Sequence, residues 1–158
     1  MNLDERVLRV ARTRGHSAGA ERAVARFSRI GEHGGVWLAI GVTGWALDRP
    51  RGAEWRRAVS TVAGTYALNT ALKLVIRRRR PEIPDLPALT VTATRLSFPS
   101  AHASTSFAGA RCYVRLGLPV PWMYGLATGL ALSRLYLGVH YPSDVLFGAA
   151  LGTVTGSR

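Results

Sequence analysis

The sequence predicts an all-α fold: an integral membrane helical bundle of about five apolar helices, preceded by N-terminal amphipathic helices. Three observations carry this. Apolar segments recur in series along the 158 residues, with basic residues in the gaps. Gly, Ala, Ser and Thr are frequent inside them, which suits close helix packing in lipid. No run alternates apolar and polar residues as a half-buried strand would.

Taken in order, Val7, Leu8, Val10 and Ala11, then Ala20, Val24, Ala25, Phe27 and Ile30, fall at helical spacing among seven Arg. Two short amphipathic helices along a membrane surface explain this pattern, and a cap packed on the main body explains it equally. No cleavable signal peptide is visible, because no unbroken apolar core is present there. Residues 35–47 are uncharged and end at Asp48-Arg49-Pro50, a turn signal. Residues 59–76 are apolar except for Asn69, Lys73 and small hydroxyl residues. Residues 101–118, 121–139 and 145–154 supply the remaining helices, and the proline-rich segment 81–98 is the longest loop. Several runs fall short of the roughly 20 residues of a comfortable span, so the buried helices of a soluble protein are the alternative. Residues 1–34 form the interfacial part and 35–158 the membrane-embedded core.

The charge balance narrows the partners. Twenty Arg and one Lys against nine acidic residues give a formal +12, while 47% of residues are hydrophobic. Such a balance points to nucleic acid or to an anionic membrane surface. The basic residues flank long apolar runs, and neither interleaved aromatics nor a reading motif for nucleic acid is present. Membrane lipids are therefore the expected partners and nucleic acid is not. No feature selects an oligomeric state. The single Cys112 excludes an internal disulfide and a cysteine-rich metal site, and it is read as structural.

Three separated stretches carry chemistry. Lys73 stands seven residues before Arg80-Pro81, two helical turns, so both cations can point to one side of a helix end. Arg80 offers a planar fork for phosphate oxygens and Lys73 a compact charge. Pro99-Ser100-Ala101-His102 precedes an apolar helix, with Ser100 as the N-cap candidate and free backbone N–H groups forming an anion site. Arg134 comes six residues before His140, and Asp144 four after it, with Pro142 starting a new helix. Asp144 can then hold one ring nitrogen of His140, or only cap that helix. Threading the apolar segments through a bilayer in alternation brings all three stretches to one face.

These residues resemble the three signature motifs of the type-2 phosphatidic acid phosphatase superfamily, over residues 73–144. Ala101 stands where that family usually has Gly, which keeps the backbone N–H. The membrane form of the family has six helices, and here amphipathic segments stand where a first span would be. The resemblance implies a metal-independent, cofactor-free lipid phosphate phosphatase. In it His140, oriented by Asp144, is the nucleophile that forms a phosphohistidine, and His102 is the general acid. Lys73, Arg80, Arg134 and the Ser100–Ala101 backbone bind phosphate. A narrower likeness lies in Gly31-Glu32-His33-Gly34 leading into Trp37-Leu38-Ala39. That stretch is similar to actinobacterial phosphatases acting on decaprenylphosphoryl-5-phosphoribose in arabinan precursor synthesis. By themselves Glu32 and His33 read as a helix cap or a surface pair. Undecaprenyl diphosphate, phosphatidic acid and phosphatidylglycerophosphate are the alternative substrates. A vanadate-dependent haloperoxidase and a non-catalytic lipid-binding protein are the rival classes. Arginine-rich short loops on the motif face place it in the cytoplasm of a multi-pass inner-membrane protein.

Overall fold

The computed structural model describes residues 2–157, and among these it contains seven α-helices and no strand beyond one isolated bridge, Arg79 to Leu96. The two amphipathic helices are α1 (Leu3–Thr13) and α2 (Ala18–Arg29). Asn2 caps α1 through a reciprocal capping box with Glu5, and Ser17 caps α2 by accepting from the Ala20 N–H. The five apolar segments become α3 (Gly35–Leu47), α4 (Gly52–Ile76), α5 (Ala101–Arg115), α6 (Val120–Tyr136) and α7 (Pro142–Thr155).

Helix α5 is the axis of the bundle. Ten of its 15 residues are buried, most of them small, and it packs against α3, α4, α6 and α7. Its contact with α7 is the closest, and three glycines four apart allow it. A Cβ at Gly148, Gly152 or Gly156 would lie 2.6, 2.1 or 2.8 Å from the carbonyl oxygens of Ser100, Ser104 and Ala108. The α7 backbone therefore rests directly on α5. At the other end of the bundle Trp37, Trp55 and Tyr113 stack in a buried cluster. Its polar atoms are satisfied: Trp37 Nε1 donates to Ser106 Oγ at 2.9 Å, and the Tyr113 hydroxyl donates to the Trp37 carbonyl at 2.6 Å.

Helix α4 is the long element. Its buried residues, Trp55, Ala58, Val62, Thr65, Asn69 and Lys73, recur every three or four positions and form a single stripe. Arg49–Ile76 is the one helical stretch among the described residues long and apolar enough to cross a membrane. Only 17% of its most apolar window is buried, so its remaining surface is apolar and outward-facing. A soluble core helix would be mostly buried. The other apolar helices, of 13 to 17 residues, are at ~1.5 Å per residue shorter than a ~30 Å hydrocarbon core.

A left-handed residue, Arg77 (φ 55°), ends α4, and the chain runs irregularly to Ser100. This corrects the expected two-turn helical spacing of Lys73 and Arg80, since Arg80 lies beyond the helix. The segment is nonetheless tied down. Arg12 of α1 donates to the carbonyls of Pro87 and Tyr136, and Leu89 N–H donates to the Leu137 carbonyl.

Candidate active site

Where the start of α5, the end of α6 and the irregular segment meet lies a cavity of about 350 Å³. Lys73, Arg80, Ala101, His102, Arg134 and His140 all line it. Residues up to 67 positions apart in the chain, from Lys73 to His140, thus share one cavity. Glu32, His33, Tyr66, Thr70 and residues 91–94 complete its lining.

His140 sits in the connection between α6 and α7 and is almost wholly buried. Its Nε2 lies 3.2 Å from Arg80 Nη1. A guanidinium can only donate, so Nε2 carries a lone pair and the ring proton belongs on Nδ1. Nδ1 faces Asp144 Oδ2 at 3.5 Å and has no closer partner. Asp144, fully buried, makes its short bonds elsewhere: Oδ2 accepts from the Tyr141 N–H at 2.8 Å, capping α7, and Oδ1 accepts from Arg78 at 2.8 Å. The carboxylate thus caps the helix and faces the imidazole at once. Burial, then the charges of Arg80, Lys73 and Arg134, hold the His140 imidazole well below the ordinary histidine range and keep it neutral.

The cations are fixed before any substrate arrives. Arg80 Nη1 donates to the Val139 carbonyl at 2.6 Å and Nε to the Thr94 carbonyl at 2.9 Å. Burial lowers Arg80 to about 10, so it stays charged at neutral pH. Lys73 Nζ donates to the carbonyls of Pro99 at 2.7 Å and Ser97 at 3.0 Å. It therefore shapes the approach to α5 while its charge faces the cavity. Arg134 Nη1 donates to Ser28 Oγ at 2.7 Å, and its buried Nε is unpartnered.

The start of α5 departs from expectation at Ser100. That residue occupies the N-cap position, but its hydroxyl makes no capping bond and is buried without a partner. Its N–H donates to the Asp144 carbonyl at 3.0 Å, because the glycine contact brings α7 that close. Ser100 does not line the cavity; it joins the starts of α5 and α7. Ala101 does line it, and the first N–H groups of α5 have no intrahelical acceptor. His102, in the first turn, has Nε2 3.0 Å from the Ser28 carbonyl, which leaves Nδ1 as the nitrogen free for a substrate.

Three participants carry no sequence signature. Ser28, buried on α2, holds His102 through its carbonyl and Arg134 through its hydroxyl. Arg78, hidden in a run of four arginines, bridges Asp144 and Asp4, the latter at 2.8 Å. Asp4 of α1 also accepts from the Ser143 N–H at 3.0 Å. Glu32 and His33 are exposed as a surface pair would be, yet they form part of the cavity wall.

This arrangement has a counterpart among known proteins. Residues 54–157 match the PAP2 superfamily. The chain belongs to that superfamily. Its relatives include decaprenylphosphoryl-5-phosphoribose phosphatase of Mycobacterium tuberculosis strain H37Rv, 41% identical over 85% of this chain and 76% of the relative. The protein of the same name from Mycolicibacterium smegmatis is 42% identical over 77% of this chain and 67% of the relative. Among solved structures, Aquifex aeolicus LpxE superimposes with a TM-score of 0.77 at 21% identity, covering 99% of this chain and 94% of that one. The PAP2-type phosphatidylglycerolphosphate phosphatase of Bacillus subtilis also gives 0.77, at 23% identity, covering 98% and 81%. The two superpositions establish the fold. By family and by its named relatives, the protein is a phosphoric monoester hydrolase.

Proposed function

We propose that this member of the PAP2 superfamily removes the terminal phosphate of decaprenylphosphoryl-5-phosphoribose, using His140 as the nucleophile. One observation carries the chemistry: a neutral, buried imidazole presents an unprotonated Nε2 to a cavity walled by three cations. The identity to the two mycobacterial phosphatases supports the substrate.

In this reading His140 Nε2 attacks phosphorus in line with the leaving oxygen, forming an N–P bond as the P–O bond to the ribose breaks. Arg80, Arg134 and the first N–H groups of α5 hold the three equatorial oxygens, and Lys73 adds charge without direct contact. His102 Nδ1, a lone pair while Nε2 keeps its proton against the Ser28 carbonyl, takes the proton of the bound phosphate monoanion and passes it to the leaving alkoxide, an effect worth roughly 10²–10⁴ in rate. Water then gives a proton to His102 and attacks phosphorus, the N–P bond breaks, and phosphate leaves with the proton returned from His102 and with His140 restored. Asp144 acts as a positioning residue that keeps the ring proton on Nδ1. The lipid tail stays in the bilayer, with α4 spanning it, the shorter helices packed around it, and α1 and α2 lying at the cytoplasmic surface.

The test is a panel assay of purified protein in detergent. Decaprenylphosphoryl-5-phosphoribose, undecaprenyl diphosphate, phosphatidic acid and phosphatidylglycerophosphate are offered at equal concentration, and inorganic phosphate is measured. The highest kcat/KM is expected on the phosphoribose lipid. A higher value on any other member of the panel removes the substrate assignment.

A further inference from the structure

The phosphate chemistry uses only part of the cavity lining. The unused part begins at the 3₁₀ turn Glu32–Gly34 between α2 and α3. There His33 adopts a left-handed backbone (φ 53°, ψ 19°), uncommon for a residue with a side chain, and Gly34 follows at φ 73°. The pair of left-handed residues turns the chain sharply, and the His33 ring meets α4, with Nδ1 2.7 Å from the Tyr66 hydroxyl. Gly31, just before the turn, packs on His102: a Cβ there would lie 2.9 Å from its Cδ2. The turn is therefore built directly against the catalytic wall, with Glu32 and His33 both on the cavity.

What this part of the lining offers is a carboxylate, an imidazole, a phenol and the hydroxyl of Thr70, beside the cations Lys73, Arg80 and Arg134 of the same cavity. An ionised carboxylate only accepts hydrogen bonds, so it pairs with hydroxyl donors and repels phosphate oxygens. His33 and Tyr66, bonded to each other, form a relay in which each can both donate and accept. A second phosphate, as in a lipid diphosphate, meets a like charge here. An acyl ester, which has no donor, leaves the carboxylate unanswered. A polyol satisfies every group.

We infer that Glu32 and His33 read the hydroxyl-bearing headgroup of the substrate, so that the turn selects sugar-phosphate lipids against lipid diphosphates and diacyl phosphates. This rests on the substrate reading above and names the residues that enforce it. His33 is fixed by its bond to Tyr66, and a fixed polar group left unpaired by the wrong substrate discriminates against it.

The experiment compares wild type with Glu32→Gln and His33→Gly, the glycine retaining the left-handed backbone. Each is assayed in detergent on decaprenylphosphoryl-5-phosphoribose and on phosphatidic acid, and the ratio of the two kcat/KM values is read. The ratio is expected to fall several-fold in each variant. A proportional loss on both lipids, leaving the ratio unchanged, assigns the turn a structural role and overturns the inference; so does an increased ratio. The wild-type ratio tests the substrate reading separately, since it can fail while the two substitutions still shift the preference.

Discussion

Ser28 shows most clearly how this site is held at the scale of single residues. It is one hydroxyl and one carbonyl on an amphipathic helix, yet it meets His102 at 3.0 Å and Arg134 at 2.7 Å. Hydrogen bonds to charged groups contribute about 1.5–3 kcal/mol. Ser28→Ala should therefore lower kcat/KM by about tenfold or more, since Arg134 loses the partner that aims it. His102 keeps its bond, because the carbonyl remains. Steady-state kinetics with a thermal unfolding control checks this, and unchanged kinetics would remove Ser28 from the site. Legibility varies for a physical reason. That His102 and His140 share one cavity was legible because histidine, present four times, has few other uses at restricted spacing in an apolar chain. Ser28 was not, because a serine on a polar helix face has no signature. Arg78 was invisible for a different reason: in a run of four arginines the charge is the same whichever one turns inward. Ser100 was misread because its role depends on how closely another helix approaches it.

At the scale of elements, the α5–α7 contact sets how His102 and Asp144 stand to each other. Gly148, Gly152 and Gly156 bring α7 onto α5 closely enough for the Asp144 carbonyl to accept from Ser100. Asp144 and His102 are thereby placed from two helices by one interface. Gly152→Ala puts a Cβ 2.1 Å from the Ser104 carbonyl oxygen and must push the helices apart. Overpacking of this kind costs about 1–3 kcal/mol, and loss of activity should accompany the loss of stability. Gly125→Ala on α6 is the comparison, since nothing lies within 4 Å of that site. Thermal midpoints and turnover of the two variants decide; a Gly152→Ala protein as stable and active as Gly125→Ala contradicts this role. The five apolar segments and both N-terminal helices were legible as elements because apolar runs and caps are local signals. The end of α4 was not, since a left-handed arginine at position 77 is fixed by the loop that follows it.

For the whole molecule, burial divides the arginines into two kinds. Arg12, Arg78, Arg80 and Arg134 are spent inside the protein, on carbonyls, carboxylates and the site. The exposed ones on the active-site side, Arg6, Arg14, Arg22, Arg26, Arg29, Arg77, Arg79 and Arg95, still outnumber those at the opposite end, Arg49, Arg51, Arg56, Arg57 and, close to them, Arg115. Large apolar side chains are exposed between them, Leu74 and Val75 on α4 and Leu146 on α7 among them. On the positive-inside rule we propose that the active site faces the cytoplasm. Cysteines introduced at Asp85 and Ala53 should then differ in intact cells: an impermeant thiol reagent labels position 53 and spares position 85. Labelling of position 85 alone reverses the orientation. Cys112 is buried and does not interfere.

The most direct measurement concerns the bond that His140 is said to form. Protein mixed with lipid substrate carrying a radiolabelled terminal phosphate is quenched in alkali within one turnover, digested and mapped. Acid-labile, alkali-stable label on the peptide containing His140, absent from His140→Ala, is the result expected. A wild-type enzyme that turns over the same lipid with no trapped label, or with label on His102, would contradict the account.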